Sequence, residues 1–502
     1  MDSLIESLRH YYGWSDFKLG QRSVIEAVLE GKDALAVLPT GGGKSLCYQF
    51  PALVRQGLVV VVSPLVALME DQVFQLRRRN VEAVCLHGGL DSSELAKARN
   101  DVRKGNIRLL YLAPERLNGV LIKNLLIDIY NSGKLVAIAI DEAHCISAWG
   151  HDFRPEYRRL GQIRYLLPGV PVVALSATAS PKVRADIIRL LNLSRPLVEV
   201  CSAKRNNLKY IMKRRPKDPI PNVIAEIHNS RGAKLIYVRT RRSVETLTRK
   251  LQADGVNAIP YHAGLTMSLR KEALSSFLEQ QKPILVATVA FGMGVDRRDV
   301  GLVMHLNLPS SAESYLQESG RAGRDGKPAS CHLLFSPGDR KRLSWVINSL
   351  GPFESDSLGG GLENMRVQIA QQQLRRMEAL AEGGTCRQQA LLQLIGEVSG
   401  PCGNCDRCLS PPPRHDCSEQ AIQMLSELKD SEWMQFSKLL NNLSSKVGTG
   451  ENWGWLARRL VEENLVSESN DGSQMVHISN VGLCFLQSPW TLDYAHDGLM
   501  VS

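Results

Sequence analysis

No stretch of this sequence is apolar for long enough to cross a bilayer. The strongest run, GLVVVVSPLVALM at residues 57–69, is short and is broken by Pro64 after a strand-like valine block, so it reads as a buried strand. The first residues, MDSLIESLRHYYGWSDF, lack both a basic segment leading into an apolar core and a transit-peptide composition, so no secretion is expected. A disulfide framework is missing as well. Of the eleven cysteines, Cys47, Cys85, Cys145, Cys201 and Cys331 stand apart, whereas Cys386, Cys402, Cys405 and Cys408 bunch late in the chain. That distribution suits a reducing cytosol and one metal site. No short-period repeat is found.

What is present is a chain of 502 residues, 44% hydrophobic and 22% charged, the balance of a globular protein of roughly three or four domains. The formal net charge of +10 favours a polyanionic partner. Its basic clusters, such as Arg77 to Arg79, Lys213 to Arg215 and Arg239 to Arg242, are individually no more than expected of solvated faces.

From about residue 20 to 200, short β-branched runs alternate with amphipathic segments: DALAVLP, LVVVVSP, RLLYLAP, LVAIAID and PVVALSAT. Such alternation predicts a parallel sheet covered by helices on both faces, with ligands at the polar strand ends. RRPKDPIP interrupts the pattern near residue 216, and AKLIYVRT, NAIPYHA, PILVAT, LVMHLNLP and CHLLFSP predict a second domain of the same kind. A helical stretch with Val367, Leu374, Met377 and Leu380 then leads to the cysteine cluster, and LSPPPRHD (409–416) reads as a linker. Beyond it, helices followed by an Asn470-Asp471-Gly472 turn between apolar flanks predict a hairpin and a winged helix. The fold expected is therefore α/β, two tandem parallel-sheet domains over 1–205 and 206–345, a small helical four-cysteine metal-binding module over 346–410 and a winged helix over 411–502.

LPTGGGKSLCYQF follows a predicted strand and opens a helix, so Thr40, Gly41, Gly42 and Gly43 would close backbone N–H groups on phosphates. Lys44 would reach the β and γ phosphates and Ser45 the magnesium. Leu38 stands where the usual phosphate-loop pattern has its first glycine. LVAIAIDEAH ends an apolar strand in two carboxylates: Asp141 would hold magnesium through water and Glu142 would activate the attacking water. In QESGRAGRDG, Arg321 and Arg324 are expected at the start of a helix, as arginine fingers for the γ-phosphate supplied by the second α/β domain. Cys386 with CGNCDRC offers four thiolates that suit structural zinc, with an iron–sulfur cluster as the rival.

Taken in order, YGWSDFKLGQ, LPTGGGKS, VVVSPLVALMEDQ, DEAH, LSATA, ATVAFGMGVD, QESGRAGRDG and the cysteine cluster resemble the RecQ family of DNA helicases over roughly residues 5 to 490. The resemblance implies two RecA-like motor domains, a zinc-binding module and a winged helix, ATP and magnesium as cofactors with structural zinc, and 3′-to-5′ translocation on single-stranded DNA that unwinds duplex or branched DNA in repair and recombination. It implies that Gln21 reads the adenine edge beside Lys18, which stands where the family often has arginine. Ser176 and Thr178 would link hydrolysis to domain motion, Gly292, Gly294 and Asp296 would touch both DNA and nucleotide, and Gln317 would lie near the γ-phosphate. His144, Trp149, His151, Phe153 and Arg154 match the family's aromatic-rich loop, which senses single-stranded DNA. Independently of the family, aromatic faces stack on bases and an arginine meets phosphate, while the plainer alternative makes the aromatics core. Trp453, Trp455, Arg458 and Arg459 would lie on a duplex-contacting helix, or the tryptophans would be core. The hairpin tip, Asn470 to Gly472, carries no aromatic wedge, and the chain ends at Ser502 in what is expected to be a short form lacking the family's extra C-terminal helical domain. A cytoplasmic monomer is expected, at the nucleoid if the source is bacterial, with single-stranded and duplex or forked DNA, single-strand binding protein and repair factors as partners and no membrane. The rivals are a translocase or annealing factor with little unwinding, a non-catalytic DNA-binding scaffold, and an RNA-remodelling enzyme.

Overall fold

Every residue of the Leu58–Val62 block is buried, and alternate valines face opposite ways: Val60 and Val62 enter one apolar cluster, Val59 and Val61 another. A strand can bury both faces only inside a sheet covered on both sides. The computed structural model describes residues 3–87, 92–150, 152–291, 297–349, 361–429, 431–447, 452–469 and 473–495. The chain divides into two units, Met1–Lys204 with Phe291–Asp296, and Arg205–Ala290 with Arg297–Ser502.

The first unit is built on β1 (Ala34–Val37), β2 (Leu58–Val62), β3 (Ala83–Leu86), β4 (Leu109–Leu112), β5 (Leu135–Ile140), β6 (Val172–Ser176) and β7 (Leu197–Val200). They form one seven-stranded sheet in the order β3-β4-β2-β5-β6-β1-β7, parallel throughout. The five runs read from the sequence all lie in it. The two strands missed, β3 and β7, are at its edges: β7, LVEV, is half-exposed and lacks a continuous apolar run, and β3, AVCL, is mostly buried but only four residues long. Because β5, β6 and β1 are neighbours, their C-terminal ends bring the phosphate-loop candidate, the Asp-Glu pair and Ser176 side by side.

In the second unit, β8 (Leu208–Arg214), β9 (Ala233–Tyr237), β10 (Ala258–Tyr261), β11 (Ile284–Ala287), β12 (Val300–His305) and β13 (Ala329–Phe335) form a six-stranded sheet in the order β10-β11-β9-β12-β13-β8. It too is parallel. Helices Pro337–Ser349, Gly361–Glu382, Arg387–Leu394 and Asp406–Leu409 follow. The proline-rich stretch is not wholly a linker: its last residues form β14 (Arg414–Asp416). An antiparallel partner from the far end of the chain, β18 (Asp493–Ala495), makes that strand, which its own exposed residues do not announce.

Between β14 and β18 the order is helix Ser418–Lys429, β15 (Met434–Gln435), helices Phe436–Val447 and Trp453–Glu462, β16 (Val466–Glu468), β17 (Met475–Ile478) and helix Asn480–Gln487. Strands β16 and β17 form the expected hairpin, whose tip, Asn470 to Gly472, lies outside the described residues. Trp453 and Trp455 belong to the apolar core here, as the plainer reading of them had it. Arg458 is only 12% exposed, its guanidinium donating to both Glu382 carboxylate oxygens at 2.7 and 2.8 Å. Glu378, Arg340, Arg375 and Glu468 continue that ion cluster between helix Gly361–Glu382 and its neighbours. Burying so many charges is tolerable only because each meets an opposite one. No helix among the described residues is long and apolar enough to cross a membrane.

Candidate active site and zinc centre

The loop after β1 turns on glycines. Gly41 and Gly43 have φ of 84° and 74°, which any Cβ would strain. Leu38, at the place of the absent first glycine, is not part of that turn. Its N–H continues the ladder to Ser176 O at 3.0 Å and its side chain is fully buried, so a larger residue fits there. Gln21, also buried, accepts from Lys18 N at 2.8 Å and donates to the carbonyls of Gly42 and Gly43 at 3.0 Å each, while Lys18 Nζ donates to Gly41 O at 2.8 Å. Both side chains thus brace the loop from one side. Helix Leu46–Val54 starts directly after Ser45.

At the end of β5, Asp141 is buried and Glu142 holds a left-handed conformation, φ 46° and ψ 47°. That conformation is costly for a residue with a Cβ and turns the glutamate toward the loop. Glu142 Oε1 lies 3.6 Å from Lys44 Nζ, and Oε2 lies 3.4 Å from His144 Nδ1. His144 Nδ1 also meets Ser176 Oγ at 3.0 Å, and that hydroxyl donates to Thr178 O at 2.7 Å. Thr178 Oγ1 is buried with no hydrogen-bond partner among the described residues. Burial, with the negative Glu142 beside it, pushes the Asp141 carboxyl up to about 6, although Lys44 pulls the other way. A cation would relieve that penalty. A strained glycine loop, an ammonium and two close carboxylates fit a nucleotide with magnesium, the ion at Asp141 and Ser45 and the phosphates along the loop and Lys44. Tyr157, which sequence patterns did not single out for this site, donates from its buried hydroxyl to Asp141 O at 3.0 Å and fixes the strand end.

Of the segment after this box, Cys145 and Ile146 belong to the core, and the side chains of Trp149, Phe153 and Arg154 that follow are partly buried. Trp149 is half-buried against the apolar cluster, with Lys182 Nζ 2.9 Å from its ring centroid. Phe153 lies under the Arg158 guanidinium at 5.4 Å. Arg154 donates to Pro64 O at 2.9 Å and to Asp152 Oδ2 at 3.2 and 3.1 Å. His151 lies outside the described residues, as do Gly292, Gly294 and Asp296.

In the second unit, Arg321 and Arg324 do not start a helix. Helix Ala312–Ser319 ends before them, and they sit in the turns that follow. Arg205 and Asn207 capture the carbonyl of Gly323, whose φ of 56° is left-handed, and so fix the turn between the two arginines. Arg321 is buried and hydrogen-bonds Tyr237, a phenol pushed up to about 12 by burial although Arg321 favours its ionised form. Tyr237 stacks on His305 at 4.9 Å, and His305 Nε2 meets Glu318 Oε2 at 2.7 Å. Gln317 Nε2 is buried without a hydrogen-bond partner among the described residues.

Cys386, Cys402, Cys405 and Cys408 bring their sulfurs within 4.8 Å of one another. Two of the separations, Cys402 to Cys408 and Cys386 to Cys405, are 3.9 Å. Tetrahedral Zn–S bonds of about 2.3 Å require sulfurs about 3.8 Å apart, whereas a cluster of several irons needs a wider cage. Backbone N–H groups aim at these sulfurs, from Cys402 to Cys386 at 3.2 Å, from Asn404 and Cys405 to Cys402 at 3.4 and 3.3 Å, and from Arg387 to Cys405 at 3.4 Å. Such donors stabilise thiolate. At Cys386 burial raises the thiol, but the N–H groups of Gln389 and Cys402 and the thiols of Cys402 and Cys408 together bring it down to about 7, whereas burial pushes Cys402 up to about 12. Arg387, missed by sequence reasoning, is wholly buried. It pairs with Asp406 at 3.0 and 3.3 Å and donates to the carbonyls of Leu380, Ala381 and Gly383, while Asp406 accepts from Met212 N on β8 at 3.1 Å.

A parallel sheet with a phosphate loop after β1 and an Asp-Glu-Ala-His box after β5, followed by a second sheet of the same kind, defines the DEAD/DEAH-box helicase class. The DEAD/DEAH box helicase model matches residues 18–187, the helicase conserved C-terminal domain 218–326 and the RecQ zinc-binding model 337–409. The four cysteines are therefore a zinc site. The chain is 40% identical to the ATP-dependent DNA helicase RecQ of Pasteurella multocida over 84% of its own length and 65% of the relative's. It is 36% identical to RecQ of Bacillus subtilis over 84% of itself and 69% of that protein. The chain belongs to the RecQ family of DNA helicases. It spans about two thirds of the length of these relatives. Among solved structures, the Mycobacterium smegmatis helicase Lhr bound to ssDNA and AMP-PNP has the same fold, with a TM-score of 0.55 at 16% identity over 94% of this chain and 60% of that one.

Proposed function

We propose that this chain is an ATP-dependent 3′-to-5′ DNA helicase that translocates on single-stranded DNA and unwinds duplex or branched DNA in repair and recombination. One observation carries the reading: Lys44, Glu142, His144 and Ser176 form a continuous set of contacts from the phosphate loop to the strand that follows it in the sheet. Such a set can hydrolyse a nucleotide and pass the event on. In this reading Lys44, Thr40 to Gly43 and Ser45 bind the phosphates and magnesium, with Lys18, Gln21 and Asp296 also serving the nucleotide. Asp141 orients the metal and Glu142 takes a proton from the attacking water. Gln317, Arg321 and Arg324 answer the charge that develops on the γ-phosphate. His144, Ser176 and Thr178 couple that chemistry to the DNA met by Trp149, His151, Phe153 and Arg154. The motor domains would span 1–205 and 206–345, the zinc module 346–410 and a winged helix 411–502, acting as a monomer on forked DNA together with single-strand binding protein and repair factors.

The test is ATP turnover against single-stranded DNA concentration, with strand separation on a 3′-tailed duplex followed in the same tubes and Glu142→Gln as the blank. Turnover that rises with DNA while strands part is the expected result. Turnover without separation would favour a translocase, the reading suggested by a hairpin tip of Asn, Asp and Gly with no aromatic wedge. RNA that stimulates as well as DNA of matched sequence would overturn the choice of substrate.

A further inference from the structure

The tryptophan nearest the Asp-Glu box already has a cation on its ring. Part of the Trp149 indole packs on the apolar core, and the Lys182 ammonium lies over the ring. The same two segments are joined again close by, where Ser147 Oγ donates to Asp186 Oδ2 at 2.7 Å and accepts from Trp149 N at 3.2 Å. Lys182 and Asp186 are four residues apart on helix Pro181–Leu190, so they share one face of it. That helix begins just beyond Ser176 and Thr178, with Ser180 as its cap. The loop after the Asp-Glu-Ala-His box is thus docked on the helix after β6 by one cation on an indole and one hydroxyl on a carboxylate.

We propose that Lys182 is a resident competitor for the face of Trp149 on which a base of single-stranded DNA stacks. The indole face attracts an ammonium through its quadrupole and a base through stacking, and the two cannot occupy it together. Without DNA, Lys182 keeps the loop on the helix. An arriving base displaces it, so one of the two polar ties between loop and helix is lost at the moment DNA is bound while Ser147 still holds Asp186. The inference rests on the reading of this segment as a DNA contact.

The experiment measures binding of a fluorescein-labelled oligothymidylate to the full chain by anisotropy, together with ATP turnover. The variants are Lys182→Ala, Lys182→Arg, Trp149→Ala and the Trp149→Ala/Lys182→Ala pair, each checked for an unchanged unfolding temperature. Lys182→Ala is expected to tighten binding about threefold, the worth of a half-exposed cation on an aromatic face. Lys182→Arg, which keeps a cation on the ring, stays near wild type, and the lysine substitution has no effect once Trp149 is gone. Binding that is unchanged or weaker in Lys182→Ala overturns the proposal, since weaker binding marks an ordinary phosphate contact. Equal tightening with and without Trp149 overturns it as well. Wild-type binding without stimulated turnover would instead sink the helicase reading and leave the competition to be judged on affinity alone.

Discussion

Asp141 shows what burial costs a functional residue. Its carboxyl, raised to about 6 by desolvation and by Glu142, stays protonated in the fold over a range where the unfolded chain, near its ordinary 3.8, has lost the proton. The native state therefore binds more protons between about pH 4 and 6, and stability contributed by this group falls as pH rises through that window. Asp141→Asn should stabilise the magnesium- and nucleotide-free protein by about 2 kcal/mol at pH 8 and by nothing at pH 4; unfolding temperatures at the two pH values check this. Glu142→Gln should cut turnover about a hundredfold or more while nucleotide binding persists, because removing a general base leaves the phosphate contacts in place. At this scale the sequence was readable wherever function demands a residue type at fixed spacing: Lys44, the Asp-Glu pair and the four cysteines. Tyr157, Lys182 and Arg387 escaped because their partners lie in other elements, and no local pattern marks such a meeting.

Among the elements, the zinc module is held by more than its metal. The pair Arg387 and Asp406 links helix Arg387–Leu394, the helix that begins at Asp406 and β8, so a buried cation stands behind the cysteines. Asp406→Ala leaves that cation without its counter-charge and should cost about 3 to 5 kcal/mol, whereas Arg387→Met with Asp406→Asn should cost much less. Chemical denaturation of the zinc-loaded protein distinguishes them. Chelation should release one zinc per chain and lower the unfolding temperature, because four thiolates brought this close repel one another without a cation between them. The elements most legible in advance were the central strands, whose runs are apolar on both faces. The edge strands β7 and β8 and the short β14 were not, because half-exposed residues carry no such signal, nor was β3, a run of only four residues, and helix Ala312–Ser319 stops at Gly320, short of the two arginines.

For the whole molecule, a net charge of +10 makes phosphate contacts a large part of any affinity for DNA. If about five phosphates are neutralised, affinity for single strands should fall about a hundredfold between roughly 50 and 200 mM salt, read by titration at several salt concentrations. A salt-independent affinity would argue against this kind of contact. The sequence by itself determined the class of fold, two parallel sheets, and the chemistry at their strand ends, because hydrophobic period and motif spacing are local properties of the chain. It also announced the zinc ligands. Only the tertiary structure decided that the Arg458 guanidinium is paired with Glu382, that Arg321 leans on Tyr237, and that Trp149 has Lys182 on its ring. Each of those outcomes depends on which distant element supplies the opposite charge or the aromatic face, and proximity of that kind exists only once the chain has folded.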